Sequence, residues 1–209
     1  MSNLTHYHFA LSGHSHRVQL FLSLLGLDVH TYNVDLANGE HKKPEFLQKN
    51  IFGQVPVLED GDVTLADSNA ILVYLATKYD QSRNWLPEDA TEAAEVQRFL
   101  SVAAGPVASG PAAARLVNVF GAKLDHAKAI DNAHTILSIL DAHLTEREWL
   151  ATDHVTIADV ANYSYIAHAP EGGVSLERYP HVRGWLKRIA ELPGFVAMPI
   201  TAVGLSKAS

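Results

Sequence analysis

The residues best suited to chemistry fall in three short segments within the first 80 positions. The first is Leu11-Ser12-Gly13-His14-Ser15-His16-Arg17-Val18, where an apolar run gives way to a helical pattern. A loop in that place lies at the positive end of a helix dipole, with unpaired backbone N–H groups facing outward. A serine there can donate a hydrogen bond to an anion. No acid–base partner at a suitable spacing makes Ser12 itself a nucleophile. The second segment is Gly53-Gln54-Val55-Pro56-Val57. A proline at a strand start cannot donate to the ladder. If the Val55–Pro56 bond is cis, Val55 turns its N–H and C=O outward, where an extended, peptide-like ligand can pair with them. The sequence leaves the isomer open. The third is Ala66-Asp67-Ser68-Asn69-Ala70-Ile71, a polar pair ahead of an apolar helix. Asp67 or Ser68 can cap that helix, worth about 1 kcal/mol. The same terminus, with the Ser68 hydroxyl, can hold a carboxylate, while Asp67 can pair with an ammonium group. One pole for each charge describes the amino-acid-like end of a ligand.

Composition narrows what this chemistry can be. The 209 residues contain no cysteine, which removes disulfide frameworks, thiolate nucleophiles, CxxC redox pairs and zinc ribbons. Any thiol chemistry must use sulfur carried in on a ligand. With 16 Lys+Arg against 23 Asp+Glu, the net charge of −7 gives no basic field for a phosphate backbone, so nucleic acid is not expected as a partner. No apolar run approaches the ~18–20 residues that cross a bilayer. The opening Met1-Ser2-Asn3-Leu4-Thr5-His6 does not read as a secretory signal, which makes the cytosol the expected location.

The elements that must position these residues change character near residue 80. Leu4 to Leu11 reads as a strand, followed by a helix through Val18 and Leu20-Phe21-Leu22 that ends at Gly26. Val29 to Val34 reads as a second strand, and Lys42 to Lys49 as a short helix complicated by Pro44. Val55 to Leu58 and Val63 to Leu65 flank Glu59-Asp60-Gly61-Asp62, a hairpin pattern. A helix over Ala70 to Tyr79 closes this part. The order βαβαββα predicts an α/β domain over 1–80, a small mixed sheet covered by helices. Residues 81–90 read as a linker, and 91–209 as an all-α domain. Its helical patterns run over Glu92 to Phe120, interrupted at Gly105-Pro106 and Gly110-Pro111, then Asp125 to Leu144, Thr156 to His168, and Tyr179 to Leu192. Ile130, Leu137, Leu140 and Leu144 form an apolar stripe on the second. Thr156 and Asp159 have the spacing of a capping box, and Pro111 is expected at a helix N-terminus.

Taken in this order, Gly39-Glu40-His41-Lys42-Lys43, Phe52-Gly53-Gln54-Val55-Pro56, Ala66-Asp67-Ser68-Asn69-Ala70-Ile71 and the position of Ser12 resemble the glutathione transferase family, cytosolic and serine-type, near its phi and theta classes and their bacterial relatives. Thr156-Ile157-Ala158-Asp159 is similar to the family's capping box. The resemblance implies a thioredoxin-like first domain, an all-α second domain, a homodimer, and glutathione as co-substrate with no metal. It implies Ser12 as the catalytic group beside the glutathione thiolate. Gln54 and Val55 would hold the tripeptide backbone, His41 and Lys42 the glycyl carboxylate, and Asp67 and Ser68 the γ-glutamyl end. A hydrophobic electrophile would sit against the second domain near Val102, Pro106 and Arg115. Alternatives within the resemblance are a glutathione-dependent peroxidase or disulfide reductase, and a glutathione-binding module without turnover. Ile51 stands where many relatives have proline.

Energetics define what Ser12 must supply. A free thiol titrates near ~8.5, and lowering that by about two units requires ~2.7 kcal/mol of preference for the anion. A charge-assisted hydrogen bond of ~1.5–3 kcal/mol plus a helix terminus at ~0.3–1 kcal/mol is sufficient. Tyr7, inside the first strand, and Ser15, one turn into the helix, are the rival hydroxyls. His6, His8, His14 and His16 cluster near one strand end, but no acidic or sulfur ligand completes a metal set, and they are expected as ordinary polar surface.

Overall fold

A computed structural model describes residues 4–202. Met1, Ser2 and Asn3 of the opening stretch, and the end of the second predicted domain from residue 203, lie outside the described residues. The chain forms two compact units. One comprises residues 4–83 together with Leu192–Pro199, the other Asn84–Glu191 together with residues 200–202.

The first unit is a four-stranded mixed sheet with helices. Strand β1 (Leu4–His8) leads to α1 (Gly13–Leu24), β2 (His30–Asn33), a 3₁₀ turn (Glu40–Lys42), α2 (Pro44–Leu47), the hairpin β3 (Val57–Asp60) and β4 (Val63–Ala66), and α3 (Ser68–Tyr79). The sheet order is β2-β1-β3-β4, with β1 parallel to β2 and antiparallel to β3. This is the α/β class read from the sequence, with shifted boundaries. β1 stops at His8 rather than Leu11 because the Phe9 amide turns to the Ser15 hydroxyl and the Ser12 amide closes a turn on the Phe9 carbonyl. The helix after residue 42 is split at Lys43, which is extended, as the residue before a proline prefers. β3 starts at Val57, since Pro56 has no N–H for the ladder. The hairpin turns on Gly61 at φ 60°, a conformation glycine adopts without a Cβ clash.

The histidines are not all surface residues. His6 and His16 are buried, and burial, with a smaller contribution from His8, pushes the His6 ring down to about 3. The alternation of β1 turns Leu4 and His6 to one buried face, which the expectation of a polar surface overlooked. Among the described residues, no group of three or more His, Cys, Asp or Glu is placed to hold a metal ion. The returning segment Leu192–Pro199 is tied to α1: His16 Nε2 lies 2.9 Å from the Val196 carbonyl, and the Ser23 hydroxyl donates to the Gly194 carbonyl at 2.7 Å.

The second unit is helical: α4 (Ala90–Ala104), α5 (Ala113–Phe120), α6 (His126–His143), α7 (Ile157–Ala167) and α8 (Pro180–Ala190), with a 3₁₀ turn at Ala169–Gly172. Pro111 does not begin a helix. Helical structure restarts at Pro106, and Pro111 lies inside a π turn over Ala108–Ala112 that runs into α5. The wider i→i+5 turn accommodates a residue with no N–H to give. Gly110 packs so closely on α6 that a Cβ would stand 2.7 Å from the Ala133 nitrogen. The buried face of α6 is accordingly Ala129, Ala133, Ile136, Leu137 and Leu140, with Ile130 only half-buried.

Thr156 and Asp159 form the capping box on α7. The fully buried Asp159 carboxylate accepts from the Thr156 amide at 2.9 Å, the Leu150 amide at 3.0 Å and Trp185 Nε1 at 2.9 Å. Asp159→Ala leaves these buried donors without an acceptor, each worth about 1–3 kcal/mol. The variant is expected to lose about 3 kcal/mol, a fall in thermal midpoint of roughly 6–12 °C measurable by calorimetry.

Candidate active site

The sheet register brings the three chemical segments to one edge of the first unit. Tyr7 on β1 is opposite Val57 on β3, and Val57 is opposite Ala66 on β4. Just past that row, β1 leaves toward Ser12, β3 is entered from Val55-Pro56, and β4 leaves toward Asp67-Ser68. A cleft of about 970 Å³ opens here, lined by His14, His41, Lys42, Gln54, Val55, Asp67 and Ser68 among others.

The Val55–Pro56 peptide bond is cis. The Val55 amide and carbonyl make no hydrogen bond to another described residue. The loop ahead of them is framed by Asn50, whose side chain donates to the Gln54 carbonyl at 2.8 Å and accepts from the Phe52 amide at 3.1 Å. Lys42 Nζ donates to the Phe52 and Gly53 carbonyls at 3.2 and 2.9 Å. Gly53 allows that approach, at φ 56° and so close that a Cβ would lie 2.5 Å from the His41 carbonyl. His41 Nδ1 is buried without a hydrogen-bond partner among the described residues, and burial, then the charge of Lys42, lowers that ring's pKa. Ile51, the departure from proline, is 79% exposed in the turn.

At the other end of the cleft, Asp67 takes φ 73°, ψ 121°, and its carboxylate accepts from the Ala70 amide at 2.9 Å as the N-cap of α3. A non-glycine residue at such an angle costs about 1–3 kcal/mol, a strain that collects at ligand sites. The Ser68 hydroxyl accepts from Arg17 Nη1 at 2.8 Å and lies 3.1 Å from His14 Nδ1. Burial first, then the Arg17 charge, pushes His14 down to about 4 against the opposing pull of Asp67, so the ring is neutral at pH 7.

The three candidate hydroxyls occupy different places. Ser12 is the N-cap of α1, partly exposed. Its oxygen accepts from the Ser15 amide at 3.2 Å and its proton is given to no described residue. It is not among the residues lining the cleft; His14, two positions on, is. Ser15 is 1% exposed and accepts from the Phe9 amide. Tyr7 points elsewhere: its hydroxyl donates to Glu59 at 2.8 Å, in a cluster with Lys49 and Tyr32. In the helical unit, Val102 is half-buried on α4 and Pro106 is exposed. Arg115 faces inward, 1% exposed, with its Nε 2.6 Å from a Glu171 carboxylate that also accepts from Thr201. Burial of Glu171 is outweighed by hydrogen bonds from Thr201, His168 and Arg115, which hold it at about 2.

Residues 2–77 match the glutathione S-transferase N-terminal domain and residues 109–193 the glutathione S-transferase C-terminal domain. The chain belongs to the glutathione S-transferase family. Glutathione S-transferase 3 of Zea mays is 38% identical over 208 residues, covering 93% of this chain and 92% of the maize protein. A glutathione S-transferase of Pseudomonas fluorescens aligns with a TM-score of 0.88 at 30% identity, over 94% of this chain and 99% of that one. A glutathione transferase homologue of Drosophila mojavensis, solved with bound glutathione, aligns with a TM-score of 0.84 at 30% identity, over 92% and 90%.

Three contributors to this transferase's cleft were not identified from the sequence. His14 and Arg17 act across a fold contact, while Asn50 braces its own loop, and the only signal in the sequence is that His14 and Arg17 share the Ser12 segment. The cleft offers an open peptide edge at Val55, an ammonium at Lys42 and a carboxylate–hydroxyl pair at Asp67-Ser68. Gly53→Ala forces the loop off the His41 carbonyl and strains a left-handed residue, so stability is expected to fall by about 1–3 kcal/mol. The KM for glutathione should rise with it, read by denaturant melts and steady-state kinetics on one preparation.

Proposed function

We propose that this glutathione S-transferase binds glutathione extended along the cleft and holds its sulfur as a thiolate beside Ser12 for attack on a hydrophobic electrophile. The observation that carries this reading is the Ser12 hydroxyl, which caps α1 through its oxygen and keeps its proton free to donate. Ser15 is buried and Tyr7 is committed to Glu59, so neither competes for the sulfur. A donor at a helix N-terminus stabilises an anion without being deprotonated itself.

The rest of the tripeptide follows the cleft. Val55 pairs with the cysteinyl backbone in strand-like fashion, with Gln54 beside it. The glycyl carboxylate lies toward His41 and Lys42, where the ammonium already bridges two loop carbonyls and has one N–H left. The γ-glutamyl end meets Asp67 through its ammonium and Ser68 through its carboxylate. The α/β unit is the glutathione-binding domain in this reading, and the helical unit supplies apolar surface for the electrophile at Val102 and Pro106. Arg115, paired with Glu171, steadies that unit from within. No helix among the described residues is long and apolar enough to cross a membrane, and we place the enzyme in the cytosol.

The expected titration midpoint of enzyme-bound glutathione is roughly 6.5, about two units below the free thiol. Ser12→Ala should return it toward ~8.5 and lower kcat at neutral pH by ~10–100-fold, with the KM for glutathione nearly unchanged. Thiolate absorbance and kinetics with an aryl halide check both, and an unaltered midpoint in the variant would overturn the role of Ser12. The chain is also expected to form a two-fold symmetric homodimer with a self-complementary interface. Light scattering at micromolar concentration should give twice the chain mass, and a one-chain mass would reject that assembly.

A further inference from the structure

We propose that His14 and Arg17 are positioning residues that aim the Ser68 hydroxyl, and through it the α-carboxylate of the γ-glutamyl group. This rests on the reading of Ser68 as the carboxylate-binding residue. The geometry begins with Arg17, 1% exposed on α1, whose Nη1 lies 2.8 Å from both Ser68 Oγ and Asn69 Oδ1. A guanidinium can only donate. Ser68 Oγ therefore accepts from Arg17 and retains its single proton to give.

That proton has a nearby acceptor in His14 Nδ1, 3.1 Å away. The same Nδ1 lies 3.4 Å from Arg17 Nη1. A ring nitrogen facing two donors is the unprotonated one, so His14 carries its hydrogen on Nε2. The low pKa of His14 agrees with a neutral ring. His14, Asp67 and Ser68 all line the cleft. A carboxylate entering beside Ser68 takes the hydroxyl proton from a neutral nitrogen and replaces that bond with a charge-assisted one, shorter and stronger. Arg17 keeps its bond to Ser68 throughout and places a positive charge behind the anion. The hydroxyl is aimed before the ligand arrives, so little ordering remains to be done on binding.

A purely structural role for the two residues would weaken every ligand alike. The test is therefore a comparison of glutathione with its analogue lacking only the α-carboxylate, γ-aminobutyryl-cysteinylglycine, in steady-state kinetics with one aryl halide. Ser68→Ala is the reference and should raise the KM for glutathione ~10-fold while changing that for the analogue less than ~2-fold. His14→Phe, which removes the acceptor, and Arg17→Lys, which replaces the donating Nη1 with the end of a shorter, more flexible chain, should each raise the KM for glutathione ~3–10-fold with the same indifference to the analogue and a nearly constant kcat. His14→Asn, which offers an amide oxygen near the place of Nδ1, should recover most of the loss. If Ser68→Ala discriminates between the ligands but His14→Phe and Arg17→Lys do not, the positioning role is overturned and the carboxylate reading stands. If Ser68→Ala does not discriminate either, that reading falls and the proposal with it. Should Arg17→Lys fail to fold, the two His14 variants decide the matter alone.

Discussion

The register of the four-stranded sheet is the constraint on which the site depends. Side chains alternate with a strict period of two along a strand, so a slip of one residue would turn every buried position of β1 or β3 to the opposite face. On β1, Leu4 and His6 are buried on one face while Thr5, Tyr7 and His8 are only half-buried, and that fixes the pairing. Once Tyr7, Val57 and Ala66 share a row, the start of α1, the loop before Pro56 and the start of α3 must emerge side by side. Two helix N-termini then flank an open peptide edge. The core decides the register, and the register assembles the site.

Charge within the cleft is arranged by burial as much as by residue type. The chain is acidic overall, yet Asp67 is the one carboxylate among the residues that line the cleft. Desolvation and the neighbouring Arg17 keep His14 neutral at pH 7, and desolvation, then Lys42, lowers the pKa of His41. Lys42 and Lys49 carry the positive charge of the lining, one tied to loop carbonyls and the other paired with Glu59, and Arg17 is buried behind Ser68. Asp67 is the acidic member, and its carboxylate already receives the Ala70 amide. Each charged group is fixed by a bond inside the protein before any ligand binds, which lowers the ordering the ligand must impose.

Much of this was legible in the sequence because it is local. The order of short apolar runs and helical patterns pointed to the sheet, the Thr156–Asp159 spacing to the capping box, and the polar pair before Ala70 to the start of α3. What escaped depends on contacts far apart in the chain. Arg17 and Ser68 are separated by 51 positions, and Arg115 and Glu171 by 56. Their burial could not be inferred from any window around either residue. Pro111 departs from its expected place for a different reason: proline signals a helix start on average, and the π turn that accommodates it leaves no periodic trace. Gly110 next to it reads as a breaker, yet it lets the π turn pack against the backbone of α6.

The return of Leu192–Pro199 to the first unit bears on biosynthesis. During translation the sheet and its helices leave the ribosome first, but the carbonyls of Gly194 and Val196 that meet Ser23 and His16 emerge only after more than a hundred intervening residues. At ~5–20 residues per second, the nascent sheet waits several seconds for its last partners, while the whole helical unit is made. Neither unit is a continuous stretch of the gene product. A proteolytic cut or domain graft placed between residues 83 and 84 would deprive the sheet-bearing fragment of part of its own fold.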